Sequence, residues 1–237
     1  MPAHLTRWHF AFEGEKLMLT DERLSLIIDM LPETDIIADI GADHGRLGAQ
    51  LLLSNKCKTL WFSDISAPSL EKARKLTQRL KLTSRAEFFV GDGAKAFPHA
   101  PNAAVIAGMG GVTISEIIKG AGENLKGTRL ILQPNVYIYE LRKTLMENGY
   151  RITDEKCVIA AKRKYILICA EEGEANYSEI ELMAGPILLK ERSDEFLEYA
   201  LFRKRVIEKA LKGMEKSENA DNASLLCELS VWKEILK

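Results

Sequence analysis

The stretch Ala38-Asp39-Ile40-Gly41-Ala42-Asp43-His44-Gly45 decides the fold. It closes a short apolar run, residues 36–40, and leads into residues 46–53, whose composition suits a helix. A strand that turns through glycine into a helix is the opening unit of a parallel α/β sheet. A dinucleotide-binding turn would read G-x-G-x-x-G, with the second glycine letting backbone approach a pyrophosphate. Asp43 stands at that position, where a carboxylate repels pyrophosphate. An acidic loop suits a ligand that carries a sulfonium and an ammonium, as S-adenosyl-L-methionine does. Taken alone, the same residues also read as a tight turn with a capping aspartate.

Working outward, strands and helices alternate. Residues 59–63 form a β-rich run ending at Asp64, and 87–90 end at Gly91-Asp92-Gly93. Residues 103–107 end at Gly108-Met109-Gly110-Gly111, and 129–132 at Gln133-Pro134-Asn135. Helices are predicted over 20–31 with Thr20 as cap, 67–80 with Ser66 as cap, 112–119 and 138–148. Runs at 150–159 and 165–170 would close the sheet as a hairpin around Lys162-Arg163-Lys164. Short apolar strands between helices imply a parallel sheet covered on both faces. Ligands of such sheets bind beyond the carboxyl ends of the strands, where all five polar or glycine-rich clusters fall. Asp64 suits the hydroxyls of an adenosine ribose, or a turn before Ser66. Asp92 suits an adenine amino group, or an ordinary loop.

After residue 184 the character changes. Gly185-Pro186 reads as a turn. Two charged helices, 187–216 and 223–236, are expected to form an antiparallel, coiled-coil-like arm. The division is therefore an N-terminal extension over 1–18, an α/β domain over 19–184 and a helical arm over 185–237, with residues 1–17 dispensable for folding. Of 237 residues, 46% are hydrophobic and 28% charged, which fits a globular chain; the net charge of -1 excludes a dominating cationic field. Cys57, Cys157, Cys169 and Cys227 show no metal-ligand spacing, and scattered thiols fit a reducing, cytoplasmic setting. No apolar run is long enough to span a bilayer. No metal and no membrane partner are expected, and a monomer is.

A nucleic-acid partner needs only a patch. Residues 56–85 hold eight basic and two acidic side chains, Arg79 and Lys81 among the former. Lys156, Lys162, Arg163 and Lys164 make a second cluster. Both also read as solvated surface.

The set Ala38-Asp39-Ile40-Gly41-Ala42-Asp43-His44, Ile106-Ala107-Gly108-Met109-Gly110-Gly111, Leu130-Ile131-Leu132-Gln133-Pro134-Asn135 and Ala184-Gly185-Pro186 resembles the bacterial tRNA (adenine-N1)-methyltransferase family, TrmK type. The resemblance runs from about Leu19 onward. It implies a class I Rossmann-like fold, S-adenosyl-L-methionine as cofactor, and methylation of N1 of the adenine at position 22 of tRNA. It also implies a catalytic role for Asp43 and cofactor contacts from Asp39, Asp64 and Asp92; Gly41, Gly93, Gly108, Met109 and Gly110 are further candidate cofactor contacts. His44 and Asn135 are candidates for holding the target base, or a helix-start histidine and an Asx turn. Arg79, Lys81, Lys162, Arg163 and Lys164 are candidate RNA contacts. The family pattern often continues D-H-A-Y-L-P, whereas here Gly45, Arg46, Leu47 and Gly48 follow His44. A non-catalytic RNA-binding module on the same fold, or a methyltransferase for a small molecule or protein, are the competing readings.

Overall fold

The computed structural model describes residues 9–12, 15–18, 22–160, 163–214 and 222–237. The expected cap Thr20 and most of the N-terminal extension lie outside these residues. Within the extension, β1 (His9–Phe12) and β2 (Glu15–Met18) pair antiparallel.

The predicted alternation follows: α1 (Glu22–Met30), β3 (Thr34–Ile40), α2 (Arg46–Leu53), β4 (Cys57–Asp64), α3 (Ala67–Arg79), β5 (Ala86–Val90), β6 (Ala103–Met109), α4 (Gly111–Ala121), β7 (Arg129–Pro134) and α5 (Ile138–Glu147). β8 (Tyr150–Ala160) and β9 (Arg163–Glu172) form the expected hairpin. Ser66 caps α3, its side chain accepting from the Ser69 amide, with proline in the first turn.

The seven strands are ordered β5-β4-β3-β6-β7-β9-β8. β3 to β7 run parallel, β9 is antiparallel to β7, and β8 is antiparallel to β9. The chain leaves β3 towards β4 on one side and returns to β6 on the other. The loops after β3 and β6 therefore diverge at one topological switch point, where such sheets bind ligands.

Side chains alternate between two cores, as the period of two in a strand requires. Ala38, Ile40, Trp61, Ile106, Leu132 and Ile168 belong to one apolar cluster with Ile114 of α4 and Leu141 of α5. Ile37, Leu60, Phe62, Val105, Ile131 and Leu167 belong to the other, covered by Ile27 of α1, Leu51 of α2 and Leu70 of α3.

The C-terminal region departs from expectation in two ways. A helix not foreseen, α6 (Glu179–Ala184), precedes Gly185, started by a capping box between Ser178 and Glu181. The expected helix over 187–216 is two helices, α7 (Pro186–Glu191) and α8 (Asp194–Met214). Arg192 adopts a left-handed conformation at φ 49°, and the Ser193 hydroxyl accepts from the Phe196 amide, so a new N-terminus begins there.

α9 (Ala223–Ile235) returns antiparallel to α8, with Tyr199 edge-on to Trp232 and Arg203 bonded to Glu228. The two helices form the expected antiparallel pair, and the pair also packs on the sheet. Phe196, Ala200, Ile207, Leu229 and Trp232 lie in the same cluster as Ile166 and Ile168 of β9. The apolar core thus runs across residue 185.

Candidate active site

The predicted catalytic and cofactor residues lie at the carboxyl ends of β3, β4, β5, β6 and β7. The Gly41 and Ala42 amides donate to the Ser63 carbonyl at 2.7 and 3.0 Å, pinning the first loop to the end of β4. The Asp43 amide donates to Asp64 Oδ2 at 3.1 Å and the Ser66 amide to Asp64 Oδ1 at 2.8 Å. Asp64 therefore ties two loops together and begins the turn into α3, while its remaining lone pairs stay available to a ligand. The Ser63 hydroxyl donates to the Gly93 carbonyl at 2.7 Å, drawing the third loop into the group.

Asp39 is a buried residue, 4% exposed, and its Oδ2 accepts from the Gly48 amide at 3.1 Å in the first turn of α2. Burial pushes its carboxyl up to about 7, against the lowering effect of the Gly48 bond, and nearby Asp64 adds to the rise. Its position holds the loop against α2.

Asp43 differs in every respect. It sits at φ 45°, exposed, with Oδ2 bonded to His44 Nδ1 at 2.5 Å. Lys72 Nζ lies 3.2 Å from His44 Nε2. Ammonium can only donate, so Nε2 accepts from Lys72 and Nδ1–H donates to Asp43. The His44 hydrogen bond, helped by the nearby positive charge of Lys72, holds the Asp43 carboxyl below the usual range despite slight burial. An ionised, solvent-facing carboxylate results.

At Gly41 (φ +76°) a Cβ would lie 1.9 Å from Met109 Cε, so glycine lets the β6 methionine lie across the loop. At Gly111 a Cβ would lie 2.0 Å from the Tyr137 carbonyl, and the Gly111 amide donates to Val136 O at 2.7 Å. The turns after β6 and β7 are thus bound backbone to backbone. Asn135 completes the junction: its amide donates to Met109 O at 2.7 Å, and its Nδ2 donates to Gly108 O at 2.7 Å.

Asp92 is exposed and paired with Lys95. Gly93 is buried, and Gly108 and Gly110 line the loop beside Asn135. Two apolar residues that pattern reading passed over stand beside these acids: Ile65, 77% exposed, and Val90, 59% exposed. Their signal was their place, directly after a strand-end acid and directly before Gly91.

The candidate RNA contacts fare unequally. Arg163, Arg79 and Lys81 are exposed. Lys162 lies outside the described residues. Lys164 is only 15% exposed, paired with Glu198 at 2.9 Å and set over the Phe202 ring, so it faces the C-terminal helices rather than open solvent. Lys156 pairs with Asp154 and Glu191, and Arg85 donates to the carbonyls of Leu52, Cys57 and Lys58. Much of the two basic clusters therefore serves the fold.

Cys57, Cys157 and Cys169 are buried and free; burial pushes the first two thiols up to about 11 and about 12, so they act as packing residues. Among the described residues no His, Cys, Asp and Glu grouping could hold a metal, and no helix is long and apolar enough to cross a membrane.

Residues 20–168 match a family described as a methyltransferase domain. The tRNA (adenine(22)-N(1))-methyltransferase of Bacillus subtilis (strain 168) is 32% identical over 184 residues, 74% of this chain and 77% of that protein. The crystal structure of the B. subtilis m1A22 tRNA methyltransferase TrmK covers 92% of this chain and 98% of its own, at 24% identity and TM-score 0.81, a likeness of fold. A candidate tRNA (m1A22) methyltransferase of Streptococcus pneumoniae, solved in complex with S-adenosyl-L-methionine, is 27% identical over 91% of this chain and 99% of its own, at TM-score 0.80. The acidic loops of a seven-stranded sheet and this identity agree, and the chain belongs to the tRNA (adenine(22)-N(1))-methyltransferase family.

Proposed function

We propose that the protein transfers a methyl group from S-adenosyl-L-methionine to N1 of adenine 22 in the D-arm region of tRNA. The observation that carries this reading is the exposed, ionised Asp43 carboxylate, bonded through its own amide to Asp64 and standing at the head of the cofactor loop.

The residues fit the cofactor. Asp39, Asp64 and Asp92 give carboxylates for an ammonium group, ribose hydroxyls and an adenine amino group. Ile65 and Val90 offer exposed apolar faces to a purine ring. Gly41, Gly93, Gly108, Met109 and Gly110 would form the backbone walls. Bound there, S-adenosyl-L-methionine supplies an electrophilic methyl carbon. Adenine N1 carries a free lone pair at neutral pH, so the protein needs no strong base. It must hold the unstacked base in line and exclude water. Methylated adenine is cationic, and Asp43 stabilises that charge as it develops. His44, locked between Asp43 and Lys72, keeps the carboxylate aimed. Asn135 offers an amide donor to the target base. Arg79, Lys81, Lys162 and Arg163 would meet tRNA phosphates. The protein would act as a cytoplasmic monomer.

The decisive assay incubates the protein with the cofactor and unmodified tRNA transcripts, then measures 1-methyladenosine by mass spectrometry after digestion. Its formation, lost when adenine 22 is replaced, is the expected result. Cofactor binding without 1-methyladenosine would move the assignment to another substrate or to a non-catalytic role.

A further inference from the structure

The loop after β7 is held by a relay of side-chain hydrogen bonds that begins on α1. Arg23 Nη1 donates to Gln133 Oε1 at 2.5 Å. Gln133 Nε2 donates to Asn135 Oδ1 at 3.0 Å, and Asn135 Nδ2 donates to Gly108 O at 2.7 Å. Gln133 is fully buried, whereas Asn135 is exposed at the mouth of the site. The Arg23 guanidinium also lies over the Tyr165 ring of β9, 5.1 Å from its centroid. A cation on one sheet face is thus linked to the substrate end of the site across 110 positions of sequence.

The relay has a direction. A side-chain amide turned by half a revolution exchanges its donor for its acceptor. A guanidinium has donors only, so Gln133 must present Oε1 to Arg23 and Nε2 away from it. Nε2 in turn has donors only, so Asn135 must present Oδ1 to Gln133. That leaves Asn135 Nδ2 toward the Gly108 carbonyl, with a second N–H on the same nitrogen. Arg23, a donor at one end, and the Gly108 carbonyl, an acceptor at the other, demand the same direction, so neither amide can turn without a mismatch at one end.

We infer that Arg23 is a positioning residue that, together with the Gly108 carbonyl, fixes Asn135 as a hydrogen-bond donor toward the target base. The site then selects a base that presents an acceptor at this place, and discriminates against one that presents an N–H. This inference rests on the proposed contact between Asn135 and the base.

The test is steady-state methylation of unmodified tRNA transcript by Arg23→Met, Arg23→Lys, Asn135→Ala and the Arg23→Met/Asn135→Ala double variant, with cofactor affinity measured alongside by calorimetry. Arg23→Met should lower kcat roughly ten-fold, the scale of one positioned hydrogen bond, with cofactor affinity unchanged. Arg23→Lys keeps a donor and should recover most of the loss. In the Asn135→Ala background, Arg23→Met should cost nothing further, because its effect runs through Asn135. Wild-type kcat for Arg23→Met overturns the inference. So does an equal drop in both backgrounds, the signature of a purely structural residue. Wild-type kinetics for Asn135→Ala itself would instead remove the base contact on which the inference rests.

Discussion

The Arg142 guanidinium lies 2.8 Å from the Glu155 carboxylate, with the two side chains 2% and 0% exposed. Nη1 of Arg142 also donates to the carbonyls of Leu182 and Met183, and Glu155 Oε2 accepts from the Ile187 amide. One buried pair therefore joins α5, β8 and the junction of α6 and α7. Burial pushes the Glu155 carboxyl up, while the Arg142 charge and hydrogen bond oppose that rise. Removing one partner strands the other charge in the core. Arg142→Met or Glu155→Leu alone should destabilise the protein by about 3–5 kcal/mol. The double variant should recover much of that loss. Urea denaturation of all three checks it, and additive single effects would refute the pairing.

Asp43 offers a cleaner separation of stability from activity. Its side chain is exposed, and asparagine tolerates its left-handed backbone. Asp43→Asn should keep cofactor binding and a near-wild-type melting temperature, and Asp43→Ala should still fold but lose about 1 kcal/mol to its left-handed backbone. The rate should fall about 10²-fold, the scale found for a lost electrostatic stabiliser. Because the folded carboxyl lies below its ordinary value, Asp43 stays ionised as pH falls to that value. Acid inactivation between pH 5 and 7 should therefore not follow its titration. A rate profile in which the Asn variant abolishes an acid limb in that range would contradict this.

Asp39 has the opposite sign. Its folded carboxyl is raised from 3.8 to about 7, so the native state binds the proton more tightly than the unfolded chain. Stability contributed by protonated Asp39 is present below pH 4 and is lost as pH rises to about 7. Above pH 7, Asp39→Asn should be the more stable protein, by up to on the order of 4 kcal/mol. The advantage should shrink towards pH 4. Denaturant midpoints for both proteins across this range decide it; a pH-independent difference would sink the idea.

Adjacent basic residues should behave differently. Arg163 is exposed, so Arg163→Glu should weaken tRNA binding and reduce the salt dependence of affinity by about one counterion. Lys164 is held by Glu198 and the Phe202 ring, so Lys164→Glu should chiefly lower the melting temperature. Filter binding at several salt concentrations, with thermal melts, separates the two. Equal salt slopes for wild type and Arg163→Glu would remove Arg163 from the RNA face.

Strands and site loops were legible because each depends on local signals: an apolar run, then glycine and acid. The residues 39–45, 91–93, 108–111 and 133–135 could be placed at one sheet edge without coordinates. Three things could not. The Arg142–Glu155 pair looks in sequence like two ordinary surface charges, and only the packing of α5 on β8 removes them from water. The burial that raises the Asp39 carboxyl depends on how α2 closes over β3. The break at Arg192 has no glycine or proline to mark it, though Ser193 and Asp194 could have been read as a helix start. The capping box of Ser178 and Glu181, by contrast, is a local S-x-x-E signal of the start of α6.

The packing of α9 also bears on how the chain is made. Leu229, Trp232 and Ile235 fill one face of the sheet alongside Ile106 and Leu132, yet they are translated after every strand. While the ribosome is still adding α9, that face lacks its largest side chain and stays wet. A chain that stopped before α9 would therefore keep every described strand but leave an apolar flank uncovered, ready for chaperones and proteases.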